Sequence, residues 1–371
     1  MNIRNKFLSY AIIPGILCLS FVRLKNTGKH EIAFQYLTDD SVLLDIYKYY
    51  DTAGLLDGYT SHVKTPVCED SLCYEAELDF YWNLLGNFTE FSLTPEKPLT
   101  KLDHVPFSKS DYKKLSRILL TKTPSFVYLR KNELVNENIN KDFPGIDGIS
   151  SATVAEVRED MVEGAIYTCF TLWHIANGEI TFNIKEHTRK ELNEKLVRKL
   201  LRSQEVAEHY FIIENIDPEY YKIFLPEILS LAKKYQGYFI KRILEKIPVS
   251  LMEDDLVQDF FTTNFNQLEY PSQTVLISKL ADIRLKTSTL DALIEGIHPA
   301  NPQQNEKIIR LVINNTNSEN IGALIKMFEV LSNRQIIVSD GLYTVLISLD
   351  DQYRSIRKEV KEFRHVHDKL H

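Results

Sequence analysis

Tyr74-Glu75-Ala76-Glu77-Leu78-Asp79-Phe80-Tyr81-Trp82 alternates apolar and polar side chains without a slip. Successive side chains of an extended chain point to opposite faces. Tyr74, Ala76, Leu78, Phe80 and Trp82 therefore share one face, and Glu75, Glu77, Asp79 and Tyr81 share the other. This is the pattern of a half-buried strand. Gly86-Asn87 supplies a turn pair, and residues 88–93 supply a returning strand, which together predict a hairpin. Beyond His187 the period changes. Phe239, Ile240, Ile243, Leu244 and Ile247 form one apolar stripe at helical spacing, ended by Pro248. Leu290, Leu293, Ile294 and Ile297 form a second, and Ile321, Leu324, Ile325 and Phe328 a third. The switch from period two to the helical period sets the fold class: an α+β N-terminal domain followed by an all-helical domain. Short helices with short connections predict antiparallel pairs, stacked as a HEAT-like helical repeat or packed as an irregular bundle.

Other elements follow from local signals. Leu43, Leu44, Ile46 and Tyr47 sit close to helical spacing, so residues 40–50 read as a short helix with Tyr47, Tyr49 and Tyr50 on its mixed face. Ser110 is placed to cap a helix over residues 111–120, and residues 125–129 read as a strand. A long helical pattern runs from Thr153 to Ala176, stopped by Asn177-Gly178, and residues 179–184 alternate again as a strand. Asp217-Pro218 is an N-cap followed by proline at the first helical position. Pro226 opens the next helix and Gly237 closes it. The expected organisation is residues 1–25 as a signal or anchor, 26–185 as the α+β domain and 186–371 as the helical domain.

Composition narrows the function classes. An apolar share of 44% with 26% charged residues is that of a globular chain, so wholesale disorder is set aside. A net charge of −7 with no basic face argues against a nucleic-acid partner, because phosphate binding needs clustered cations. Arg4 and Lys6 precede an uncharged stretch, residues 7–22, which Arg23 and Lys25 close. A basic start and an apolar core predict an export signal or short membrane anchor, hence an extracytoplasmic (periplasmic or membrane-associated) location. The stretch is shorter than the ~20 residues of a spanning helix. Pro14 and Gly15 interrupt it, and no small-residue cleavage site follows. A lipid-modified Cys18 and a buried N-terminal helix are the other readings.

Cys68 and Cys73 form the one close cysteine pair, read as a possible disulfide or as free thiols, and Cys169 stands alone. Two sequon triplets, at Asn87 and Asn314, are common by chance. The nucleophile elbow, the phosphate-binding loop, the dinucleotide fingerprint and the usual zinc spacings are all missing from the sequence. His365, His367 and His371 read as a solvated tail.

One segment carries chemistry: Asp147-Gly148-Ile149-Ser150-Ser151-Ala152-Thr153. It resembles the attachment motif of the FMN-binding domain family, in which Asp, two residues, Ser or Thr, Gly, Ala and a final Thr or Ser precede a helix. Members of that family include flavin-carrying subunits of ion-pumping NADH:quinone reductase and Rnf complexes. A flavin transferase esterifies the FMN phosphate to the last hydroxyl. The resemblance implies Thr153 as acceptor, Asp147 and Ser150 as recognition residues and Ala152 as the small residue that permits close approach. Ser151 stands where the family has glycine, and Ala155 where a second hydroxyl residue often occurs. The close match spans these seven residues, and a looser likeness runs over residues 67–178. A structural reading stands beside it, since Thr153 and Glu156 also form a capping box. Tyr167, Phe170, Trp173 and His174 follow on the same predicted helix, either as a core face or as neighbours of a flavin ring.

Two functions remain in view. One is an exported electron-transfer flavoprotein with covalent FMN, a flavin transferase as its maturation partner and a redox protein docked on the helical half. The other is a non-catalytic interaction or scaffold protein with a degenerate FMN-binding-like domain.

Overall fold

The computed structural model describes residues 31–38, 40–67, 74–94, 96–134, 157, 160–317 and 320–370. The chain forms two compact units, divided in sequence between Lys185 and Glu186.

The first unit is built on an antiparallel meander of five strands: β1 (Glu31–Leu37), β2 (Leu43–Tyr50), β3 (Leu56–Thr65), β4 (Ala76–Asn83) and β5 (Phe88–Leu93). Register places Tyr59 opposite Trp82, Ser61 opposite Phe80 and Val63 opposite Leu78. The alternation in β4 therefore becomes one continuous buried face. Phe34 opposite Ile46 and Tyr36 opposite Leu44 extend that face to the β1 edge. Leu78 and Phe80 are fully enclosed, and burial of such a side chain contributes about 1.5–3 kcal/mol. The reverse face is polar, with a His62–Asp79 hydrogen bond across β3 and β4 at 2.9 Å and an ion pair between Lys64 and Glu75, just ahead of β4, at 3.1 Å.

Two helices, α1 (Lys109–Leu120) and α2 (Ile166–Asn177), pack on each other, and α1 also packs on β5. Three side chains lock them. Trp82 Nε1 donates to the Ala176 carbonyl at 2.8 Å, Trp173 Nε1 to that of Thr121 at 2.8 Å, and Asn177 Nδ2 to that of Leu119 at 2.8 Å. The β4–β5 turn comes close to α3 (Ile180–Lys190): Gly86 has φ +75, and a Cβ there would run into the Thr181 backbone. Both facts require glycine.

Several local expectations are corrected. Residues 43–50 are a strand, not a helix, because Leu44 and Ile46 are buried two apart and pair with β1. Tyr47, Tyr49 and Tyr50 thus lie on β2, with the Tyr49 hydroxyl reaching the Trp82 carbonyl at 3.4 Å. Residues 125–128 are turns that bury Phe126 rather than a strand. Ser108, not Ser110, caps α1, in a reciprocal box with Asp111. Residues 179–184 alternate in sequence, yet they enter α3, because Ile180, Ile184 and Thr188 are buried four apart. The long helix expected from Thr153 is not continuous to Ala176. Residues 161–165 are non-helical, Gly164 has φ +72, and α2 begins only at Ile166. Strands β1 and β3 had no counterpart in the sequence reading.

The second unit is all helical among its described residues: α4 (Glu194–Leu201), α5 (Val206–Asn215), α6 (Pro218–Ile223), α7 (Leu225–Lys234), α8 (Tyr238–Lys246), α9 (Asp255–Asn264), α10 (Tyr270–Lys279), α11 (Thr287–Glu295), α12 (Pro302–Asn315), α13 (Gly322–Asn333), α14 (Asp340–Gln352) and α15 (Arg357–Leu370). Contacts skip one helix. α9 packs on α7 and α11, α11 on α13, and α13 on α15, while α10 packs on α8 and α12. Two rows result, cross-linked by neighbours such as α7 with α8 and α12 with α13. Phe239, Ile243 and Ile247, like Leu290, Leu293 and Ile294, are buried as their spacing predicts. Proline falls in the first turn of α6, as expected. Gly237 opens α8 at φ +63 instead of closing α7, which has already ended at Lys234.

Candidate functional site

The positions expected to carry chemistry, Asp147, Ser150, Ser151, Ala152 and Thr153, lie outside the described residues, as do Cys68, Cys73 and the signal-like residues 7–22. What the structure describes is the framework on either side of the motif. Leu134 precedes residues 135–156 and Val157 follows them, and both are buried.

Within this framework α2 has two faces. Cys169, Leu172, Trp173 and Ala176 are buried. Phe170, Thr171, His174 and Ile175 border a cavity of about 290 Å³. Tyr36, at the end of β1, and Thr38 form another part of its lining. The stretch Leu129, Arg130 and Lys131, just ahead of the motif segment, forms a third. The lining is aromatic and cationic. The Phe170 ring lies 4.2 Å from that of His174, and the Lys131 ammonium stands 3.7 Å from the Asp40 carboxylate. Thr38 Oγ1 accepts from the Val42 amide at 3.1 Å. Thr171 is 3% exposed, and its hydroxyl has no hydrogen-bond partner among the described residues.

The four aromatic positions singled out on this helix separate here. Trp173 belongs to the core, edge-on to Phe126 at 5.6 Å. Phe170 and His174 face the cavity, and Tyr167 is half-buried without lining it. Cys169 is fully enclosed, and burial pushes its thiol up to about 12. It stays protonated at neutral pH and is no nucleophile. Tyr36, Thr38, Arg130, Lys131 and Thr171 went unnoticed in sequence, because they come from three separated segments without a common spacing.

The second unit holds charge clusters of another kind. Lys279 donates to the carbonyls of Glu245, at 2.7 Å, and Ile247 at the end of α8. Arg334 does the same for Glu295, at 2.9 Å, and Ile297 at the end of α11. A cation two helices on thus satisfies carbonyls that a helix end leaves open. Asp255 and Asp259 likewise hold Lys286 at 2.7 and 2.9 Å, and Asp291 and Glu295 hold Lys326 at 3.6 and 2.8 Å. These groups satisfy one another and stitch the rows. The sequence carried a faint sign of this recurrence in Glu245-Lys246-Ile247-Pro248 and Glu295-Gly296-Ile297-His298-Pro299. The histidine tail is corrected in part: His367 is buried and stacks on Tyr343 at 4.3 Å, while His365 is exposed. No described group of three or more His, Cys, Asp or Glu side chains is arranged to hold a metal ion. No described helix is long and apolar enough to cross a membrane.

Compared with family models, curated proteins and solved structures, the chain has no match.

Proposed function

We propose that the protein is an exported electron-transfer flavoprotein, with FMN joined through its phosphate to Thr153 and with the helical unit docking a redox partner. The observation that carries the reading is the segment Asp147 to Thr153, with its terminal hydroxyl after a small residue and its upstream acid. The cavity of the same unit fits such a group. Tyr36, Phe170 and His174 would face an aromatic ring, and Arg130 and Lys131 would offset its negative charge. FMN, when bound, supplies the redox chemistry. The chain's own residues attach it, orient it and shape its electrostatic surroundings. The basic start and apolar residues 7–22 support an extracytoplasmic location, where a flavin transferase would act.

Skipped-neighbour packing in two rows supports a HEAT-like solenoid for the second unit, an architecture that offers extended partner surfaces. Ser151 in place of glycine favours a second reading, in which the flavin site is degenerate and the protein acts as a non-catalytic scaffold. Co-expression with a flavin transferase and export separates the two. The flavoprotein reading expects an intact mass raised by one FMN less water, in-gel flavin fluorescence, and loss of both in Thr153→Ala. Unmodified wild-type protein beside a flavinylated control domain would leave the scaffold reading.

A further inference from the structure

We infer that the outer face of α15 is a docking surface for an anionic lipid bilayer, met lengthwise by a row of unpaired cations. The inference is independent of the flavin reading and concerns the other unit.

The row follows from helical geometry. Val360, Phe363 and His367 are buried, and α15 packs on α13 and α14. Side chains four apart share one face of a helix. Arg357, Lys361, His365 and Lys369 recur at that spacing away from the buried side, all exposed, over about 18 Å. Lys358, and Arg354 in the short turn ahead of the helix, are exposed as well.

In sequence this face is hidden, because Glu359, Glu362 and Asp368 interleave with the cations. The expectation that the chain has no basic face is therefore corrected by the fold. Glu359 is only half exposed, and the Asp368 carboxylate accepts from the Tyr343 hydroxyl at 3.0 Å. Even with Glu362 exposed among them, the cations outnumber the acids on this side.

What sets these cations apart is that no carboxylate holds them. Elsewhere in the unit Lys286 is tied to Asp255 and Asp259, and Lys326 to Asp291 and Glu295. Lys279 and Arg334 serve helix-end carbonyls. Arg354, Arg357, Lys358, Lys361 and Lys369 form no ion pair among the described residues. The outer face of a terminal repeat must be polar to stay in water, but it need not carry mainly one sign of charge. In a chain of net charge −7, such a concentration of free cations points to an anionic partner.

The make-up of the face selects among anionic partners. The row exposes no Trp, Tyr or Phe, so it has neither the anchors of a protein hot spot nor platforms on which bases stack. A straight row of flexible cations matches a planar array of phosphates, where each Lys or Arg near the surface adds its own share. The apolar side of α15 is already buried in the unit, so the helix rests on headgroups and does not insert. Attachment of this kind is electrostatic and weakens as salt screens it.

The test is co-sedimentation of full-length protein with vesicles of phosphatidylcholine alone or mixed with phosphatidylglycerol. We expect binding to the mixed vesicles to exceed binding to the neutral ones, and the excess to vanish as salt rises from ~0.1 to ~0.5 M. The triple variant Arg357→Gln, Lys361→Gln, Lys369→Gln should lower affinity for the mixed vesicles about 100-fold with an unchanged melting temperature. A control triple, Lys222→Gln, Lys233→Gln, Lys307→Gln, removes as much exposed charge from other helices and should bind nearly as wild type. Insertion through residues 7–22 would appear as binding to both vesicle types alike, untouched by salt or by either triple, and is read separately. Equal binding to neutral and mixed vesicles, or equal loss in the two triple variants, would overturn the inference. So would a duplex oligonucleotide that binds wild type but not the α15 variant while the mixed vesicles bind neither.

Discussion

Replacing Trp82 by phenylalanine tests the join between sheet and helices. Trp82 is fully buried, and its indole N–H donates to the Ala176 carbonyl at 2.8 Å. Ala176 lies in the last turn of α2, where carbonyls have no partner within the helix. Phenylalanine removes the donor and strands that carbonyl in the core, at a cost of about 1–3 kcal/mol. The smaller ring also leaves roughly 40 Å³ unfilled, worth ~1 kcal/mol at the usual cavity coefficient. Together the substitution should cost about 2–4 kcal/mol. The sequence provides a clean assay. Its only two tryptophans are Trp82 and Trp173, both in the first unit, so tryptophan emission during urea unfolding reports that unit alone. With a typical urea slope, the Trp173 signal in Trp82→Phe should shift its midpoint down by about 1–2 M. The helical circular dichroism transition of the second unit should hardly move. A midpoint shift below about 0.3 M would refute the reasoning, since it would mean that the carbonyl finds water or that the sheet does not depend on this contact.

Two further outcomes follow for the second unit. Its hydrogen bond to Arg242, and then Lys246 at 3.0 Å, hold the Glu214 carboxyl down to about 2. A carboxylate depressed in the folded state stabilises above its unfolded value and loses that contribution as pH falls through the folded one. With its side chain about a third exposed, the pair should contribute only ~1 kcal/mol after solvent screening. Wild type should therefore exceed Glu214→Gln in stability at pH 6 and converge with it between about pH 4.5 and 2. A difference that stays constant across that window would count against the ion pair. Separately, residues 186–371 expressed alone should be soluble, helical by circular dichroism and cooperative in melting, because the two rows bury their apolar stripes within the unit. An unfolded fragment would show that the rows need the first unit.

Sequence by itself determined the class of each half. The period-two run in β4 left one face to bury, and the stripes around Phe239, Leu290 and Ile321 left no alternative to helices packed side by side. It also specified the hairpin at Gly86-Asn87 and the proline start of α6, since turn and cap chemistry are local. Short apolar runs were different. Leu43 to Tyr47 fits a helix as well as a strand, and residues 179–184 fit a strand as well as a helix. Pairing with β1 decided the first case, and burial of Ile180, Ile184 and Thr188 on one side decided the second. The candidate site divided in the same way. The motif around Thr153 is contiguous and therefore legible. The cavity is assembled from β1, the stretch before the motif and α2. No local pattern brings Tyr36, Arg130 and Thr171 to one place. Only the packing of the strand edge against a helix far along the chain does that, and only packing reveals a threonine buried without a partner.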